Sequence, residues 1–123
     1  MYTERSLNAA IKAVADMAEE VSLHTSEPDD SGSGEVSGGD YKRQDVPGWG
    51  DPSKGEIAIG DEVEFEVPEN TTLSWAGLWD SDGDFLVGVQ LDTDEKIDAA
   101  EEYTLSPLVL KATNVPGEGD SGV

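Results

Sequence analysis

Between Glu62 and Val67 the chain alternates without a slip, with Glu62, Glu64 and Glu66 on one parity and Val63, Phe65 and Val67 on the other. Successive side chains of an extended chain point to opposite faces, so this stretch fits a strand with one wet and one dry face and fits a helix poorly. The next run, Thr71 to Trp79, sets Leu73, Trp75, Gly77 and Trp79 on one side and Ala76 with Leu78 on the other, which predicts a strand covered on both faces. Asp80-Ser81-Asp82-Gly83 then makes a tight connection to Phe85–Leu91, and the two runs read as a β-hairpin with Gly83 supplying a positive φ. Shorter strands are expected at 21–25, at Tyr103-Thr104-Leu105 and from Leu108 to Thr113. From Asp92 the segment DTDEKIDAAEEYTLSP fits a helical turn around Ile97, Ala99 and Ala100 as well as an edge strand, and Asp92-Thr93-Asp94-Glu95 reads most simply as a solvated loop. Short strands parted by turn signals, with no βαβ rhythm, define a mainly β chain: an antiparallel β-sandwich or barrel-like domain.

One segment departs from this pattern. From Ser6 to Val21 apolar residues recur at Leu7, Ile11, Val14, Ala18 and Val21, which is the spacing of an amphipathic helix, with Ser6 as the expected N-cap. The chain therefore divides into an N-terminal helix (1–22) packing on the domain or on a neighbouring subunit, a β-sandwich (23–113), and a flexible tail (114–123). Inside the sandwich lies SEPDDSGSGEVSGGD, residues 26–40, whose glycines, serines and acids bury no core and form a long surface loop. Loops of that length in a small domain are uncommon and usually make contacts or carry function.

Charge decides which partners such a surface meets. The 123 residues hold 28 Asp and Glu against 7 Lys and Arg, a net charge of −21. A folded chain of 13.0 kDa exposes roughly 6,300 Å², about 300 Å² per net charge. That surface repels nucleic acid and anionic lipid, and neither nucleic-acid binding nor membrane insertion is expected. No apolar run reaches the ~18 residues of a membrane span, and the N-terminal segment lacks the pattern of a signal peptide. Self-repulsion of this size is weak only where the screening length falls to about 3 Å, near 1 M salt, which points to a halophilic source.

Candidate chemistry is sparse. There are no cysteines, so a disulfide framework, a thiolate zinc site and a cysteine nucleophile are absent together. The one histidine, His24, is expected to be structural, bonding a loop carbonyl, and no nucleophile motif accompanies it; the chain is not expected to be an enzyme. Asp80, Asp82 and Asp84 have the alternate-acid spacing of a Ca²⁺ or Mg²⁺ turn, but no acid follows at Leu91 to complete a calcium loop, and the hairpin accounts for them without a metal. No other cofactor is implied. Asn70-Thr71-Thr72 is a glycosylation sequon. Trp75 and Trp79 read as core packing, whereas Trp49, between Gly48 and Gly50, reads as a subunit contact. Lys42 and Arg43, the only adjacent cations, are expected to meet a carboxylate such as Glu35 or one on a partner.

Two separated motifs resemble a known family. Leu23-His24-Thr25-Ser26-Glu27-Pro28, then Glu35-Val36-Ser37-Gly38-Gly39 and Tyr41-Lys42-Arg43-Gln44, resemble the pattern LHTADPGxxGxxEVSGGxYxRQ of small tail-fibre-like or minor structural virion proteins of tailed phages. Thr72–Asp80, TLSWAGLWD, resembles the T-x-x-x-x-GLW-D element that follows it there. The likeness covers about residues 6–113; Asp30 and Ser31 stand where the pattern is richer in glycine, and the heavier acid load fits a virus of a halophilic archaeon. It implies a virion structural protein on the particle surface, with no catalytic residues to carry over. The expected form is a homo-oligomer, trimer or pentamer, with Leu7, Ile11, Val14, Tyr41, Arg43 and Trp49 at interfaces and the capsid or tail as partner. A capsid decoration or turret is preferred to a tail, baseplate or fibre-adaptor part, with a host-glycan or receptor-binding module as the alternative.

If the acid load is the dominant long-range force, the thermal midpoint rises as NaCl is raised from about 0.1 M to about 2 M, with most of the gain below 1 M where the screening length shrinks fastest. Calorimetry across that range checks it, and a flat profile contradicts it.

Overall fold

The computed structural model describes residues 3–106 and 108–112; the proposed tail at 114–123 lies outside them. One helix, α1 (Glu4–Met17), precedes eight strands: β1 (Glu20–His24), β2 (Gln44–Asp45), β3 (Glu56–Ala58), β4 (Val63–Val67), β5 (Thr71–Trp79), β6 (Phe85–Ile97), β7 (Glu101–Leu105) and β8 (Val109–Lys111). They form a four-stranded sheet in the order β2-β1-β5-β6 and two ladders, β3-β8 and β4-β7, all antiparallel. The mainly β, sandwich-like class with one N-terminal helix is what the alternation demanded. Among the described residues no helix is long and apolar enough to cross a membrane.

The core follows parity. In β4 the residues Val63, Phe65 and Val67 are buried and Glu64 and Glu66 exposed. Val21 and Leu23 of β1, Leu73, Ala76 and Leu78 of β5, Ile57 of β3 and Phe65 are almost wholly buried and belong to one cluster. The second half of β5, Ala76 to Trp79, is buried at every position, as a strand covered on both faces must be.

Local differences from the sequence reading have physical causes. The helix starts earlier, because the Thr3 hydroxyl, not Ser6, caps it: Ser6 N–H donates to Thr3 Oγ1 at 3.1 Å. It also stops earlier, at Met17, since Ala18 is extended and Val21 is needed in β1, where it faces Leu78 of β5. The tertiary ladder overrides the helical periodicity there. Strand β6 runs on through Asp92–Glu95, which had read as a loop. Its pairing with β5 jumps from Trp75↔Gln90 to Leu73↔Glu95, so the acidic stretch is a bulged but continuous edge, exposed and without apolar alternation. The ambiguous segment beyond it resolves into Ile97 ending β6 and the strand β7.

The helix stripe is used within the chain. Ile11 and Ala15 are buried, Leu7 and Val14 half-buried, and α1 packs on β3 and the turn before it. There Gly55 N–H donates to Asn8 Oδ1 at 2.7 Å and Lys54 N–H to Glu4 Oε2 at 3.2 Å. Leu7, Ile11 and Val14, read from sequence as subunit contacts, are thus engaged by the domain itself, and Met17, 52% exposed, is the large apolar residue α1 leaves outside.

Phe65→Ala, removing a 1% exposed ring at the centre of this cluster, is expected to cost about 3–5 kcal/mol, while Glu64→Ala next to it should stay within about 0.5 kcal/mol. Denaturant unfolding of the two variants measures the contrast.

Candidate functional site

The loop 26–40 folds back over the outer face of β1 and β5. Asp29 shapes its first half, accepting from Ser31 N–H at 2.9 Å and Ser31 Oγ at 2.6 Å, and those bonds hold its carboxyl below the usual range. Its second half pairs with the end of β1: Thr25 N–H donates to Gly34 O and Val36 N–H to Leu23 O, both at 2.9 Å. Gly32, at φ 78°, lies so close to the Trp79 indole that a Cβ there would stand 2.5 Å from Cη2, so only glycine permits the contact.

Beneath the loop a polar chain runs in one direction. Ser33 O only accepts, so His24 Nδ1, 2.9 Å away, carries the hydrogen and donates to it. Nε2 is then bare and accepts from the Ser22 hydroxyl at 2.7 Å, while Ser22 Oγ accepts from Trp79 Nε1–H at 2.8 Å. Every buried polar atom of this chain is used once the imidazole is neutral. Burial lowers the His24 pKa, against the opposing pull of the Ser33 carbonyl and Glu35. Ser22 and His24 are both fully buried, so the pair binds structure to structure and presents no surface to a substrate. Gly77 lies directly opposite; a Cβ there would be 2.7 Å from His24 Nε2 and 2.8 Å from Ser22 Oγ.

At the rim, Glu35 gathers two partners. Arg43 donates through Nε and Nη2 to the two carboxylate oxygens, each at 3.0 Å, and Tyr41 OH donates to Oε2 at 2.9 Å while accepting from Leu23 N–H at 3.0 Å. The Arg43 guanidinium also sits 3.5 Å from the centre of the Trp79 ring, and its Nη1 is 3.7 Å from Glu20. Glu35 raises the Arg43 pKa, and burial, first, raises that of the Tyr41 phenol. Tyr41 stacks on Phe65 at 6.1 Å and Phe85 meets both Trp79 and His24 edge-on, which ties the loop to the core.

Tyr41 and Arg43, offered from sequence to a neighbouring subunit, are therefore turned inward, because the nearest carboxylate, Glu35, lies on the folded-back loop. The pairing of Arg43 with Glu35 and the bond from His24 to a loop carbonyl were both legible; the Ser22–Trp79 link and the cation over the indole were not, since each joins residues far apart in sequence. Trp49 is half-buried, bridges to Ile59, and has its Nε1 buried without a hydrogen-bond partner among the described residues. Asn70 is exposed in the turn between β4 and β5, at φ 57°. Asp80, Asp82 and Asp84 bring ligand atoms within 4.8 Å of one another, but Asp80 Oδ1 already accepts from Asp82 N–H and Asp84 N–H at 2.9 Å each, closing the hairpin around Gly83. That geometry serves the turn in full.

Most residues gathered under the loop, Leu23 and His24, Glu35, Tyr41 and Arg43, Gly77 and Trp79, come from the two motifs that carry the resemblance, and Ser22 and Phe85 join them from outside. A model of the family described as Podophage GP4 fiber I protein gp80 matches residues 5–113, most of the chain. The chain belongs to this family. Membership in the gp80 family makes it a structural component of a virus particle, of tail-fibre type. No curated protein matches it. The gp80-family match begins in α1 and runs past β8, so helix, loop and sheets belong to one inherited unit.

Because the folded-state pKa of His24 lies below the ordinary 6.5, the unfolded chain binds the extra proton first. Stability is full above pH 6.5 and falls as pH drops through the window between that value and the lower folded one. His24→Asn should remove this step while leaving the later loss from carboxylate protonation. Urea midpoints at a series of pH values for both proteins check the sign.

Proposed function

We propose that the chain is a non-enzymatic module of the fibre apparatus of a tailed-virus particle, carried in several copies on the particle exterior, where it acts as a rigid adaptor. What carries this reading is the family match across residues 5–113, together with the inward use of the motif residues, which make a locked loop in place of a reactive centre. Between a capsid decoration or turret and a fibre part, the fibre is the better supported, because the family is that of a fibre protein. A glycan- or receptor-binding role finds less support: Tyr41 is committed to Glu35 and Phe65, and Trp49 packs against the core.

Self-association into a trimer or pentamer belongs to the same proposal. With α1 turned onto its own domain, Met17, Val109 and the exposed part of Trp49 are among the apolar contacts it can use, in salt concentrated enough to screen the acidic surfaces.

Antibody labelling of purified particles by electron microscopy is the test. Label on the fibres at the tail is the expected outcome; label spread over the capsid faces replaces the fibre reading with decoration, and absence of the chain from purified particles overturns the virion role.

A further inference from the structure

A cavity of about 1080 Å³ lies between β6 and β8, with Ala10, Ile11 and Val14 of α1 and Tyr103 and Leu105 of β7 also on its lining. Its lining has an unusual order. Side chains on a strand alternate between faces, so a cavity over a sheet face is lined by every second residue. Here every residue from Leu86 to Thr93 lines it, and so does every residue from Leu108 to Ala112. Uninterrupted runs mean that the two strands present their backbone edges to the space as well as their side chains. The topology agrees: among the described residues β6 ends its sheet, bonded only to β5, and β8 is bonded only to β3. The cavity is a slot between two unpaired strand edges.

We propose that this slot receives an extended segment of another protein, added as a strand alongside β6, with alternating apolar side chains and lysine or arginine at its ends. Free edges with apolar neighbours are templates for such pairing unless charge or a bulge blunts them. From Leu86 to Leu91 the edge carries no charge and spans roughly 20 Å, enough for a strand of ordinary length. Leu86, Val87, Val89 and Leu91 are each only half-buried, and Val109 on β8 is 39% exposed, so the apolar contacts are incomplete. Carboxylates flank that run along β6, Asp84 before it and Asp92 and Glu95 after it, Glu56 lines the slot from β3, and among the described residues none of the four forms an ion pair. Lys111 is the one cation on the lining. Charge complementarity therefore selects a segment with basic flanks.

The same charges argue against two other occupants. Antiparallel pairing of β6 with a second copy about Gly88 would set each Asp84 directly opposite an Asp92 of the second copy, and like charges so placed are destabilising. The chain's own 113–123, TNVPGEGDSGV, holds Pro116, three glycines and two acids and lacks alternating apolar residues.

This inference stands apart from the fibre assignment, which the particle labelling tests. The probe is a synthetic peptide of alternating Val and Thr flanked by Lys, with a Glu-flanked twin as control, added to the full chain at the lowest salt concentration at which it is folded, so that the flanking charges are screened least. The Lys-flanked peptide is expected to slow amide exchange at β6 and β8 about tenfold or more, and the Glu-flanked twin to have little effect. Val109→Lys, which sets a like charge against the peptide's lysines, should weaken binding of the Lys-flanked peptide about tenfold when its melting temperature is measured to match the parent's. Equal binding of the two peptides, or protection by neither, overturns the proposal without recourse to a variant. So does protection of β6 in the free chain that disappears when 113–123 are deleted, which identifies the chain's own segment as occupant, or protection that appears only as light scattering reports a dimer.

Discussion

One carboxylate converts a glycine-rich loop into part of the fold. Glu35 accepts from Arg43 through two nitrogens and from Tyr41, and those two partners reach in turn to Trp79 and to the backbone of Leu23. Contrary to the expectation that this loop buries no core, Val36 joins the core cluster at 5% exposure, but one valine in fifteen residues of mostly glycine, serine and acid is too little apolar area to hold the stretch on a sheet. It lies there because charge-assisted bonds at one end, and the neutral His24–Ser33 bond further in, offset the entropy of ordering it. Loss of either leaves buried donors or acceptors without partners, so the loop's attachment is cooperative.

The space under the loop constrains the strands as tightly as the bonds do. Gly32 approaches the indole and Gly77 the imidazole at distances no Cβ tolerates. Trp79 is therefore held by a backbone above, a cation at its face and the Ser22 hydroxyl at its nitrogen. The bulge between Leu78 and Trp79 sets the indole opposite Phe85 and not in plain register, which lets the aromatic pair meet edge-on at 5.1 Å.

Legibility from sequence divided along the range of the interactions. The alternation in β4, the β5–β6 hairpin and the existence of α1 are local, and a strand or helix period exposes them. The helix ends were misplaced because Thr3 and the β1 ladder, not the apolar stripe, set them. The far half of β6 was hidden because a strand exposed on both sides has no apolar period; its pairing with Thr71–Leu73 is decided elsewhere in the chain. In the site, the opposite charges of Glu35 and Arg43 could be matched from composition, the more so where cations are scarce. The hydrogen-bond chain from Trp79 to Ser33 had no such signal: serine, histidine and tryptophan each have many roles, and only the antiparallel register of β1 on β5 brings Ser22 opposite Gly77, two residues from Trp79.

The acid load gives that buried arrangement its importance. The surface pairs Lys12–Asp16 and Lys96–Asp98 leave both partners largely exposed, and concentrated salt screens such pairs to little value. Arg43 differs in kind, since Glu35 is only 21% exposed and the indole shields the cation's face. As ionic strength rises, the repulsion among the surface carboxylates fades while this shielded pair persists, so the electrostatic balance of the whole fold moves in its favour. The ion pair that such screening spares is the one whose cation lies between a mostly buried carboxylate and an indole.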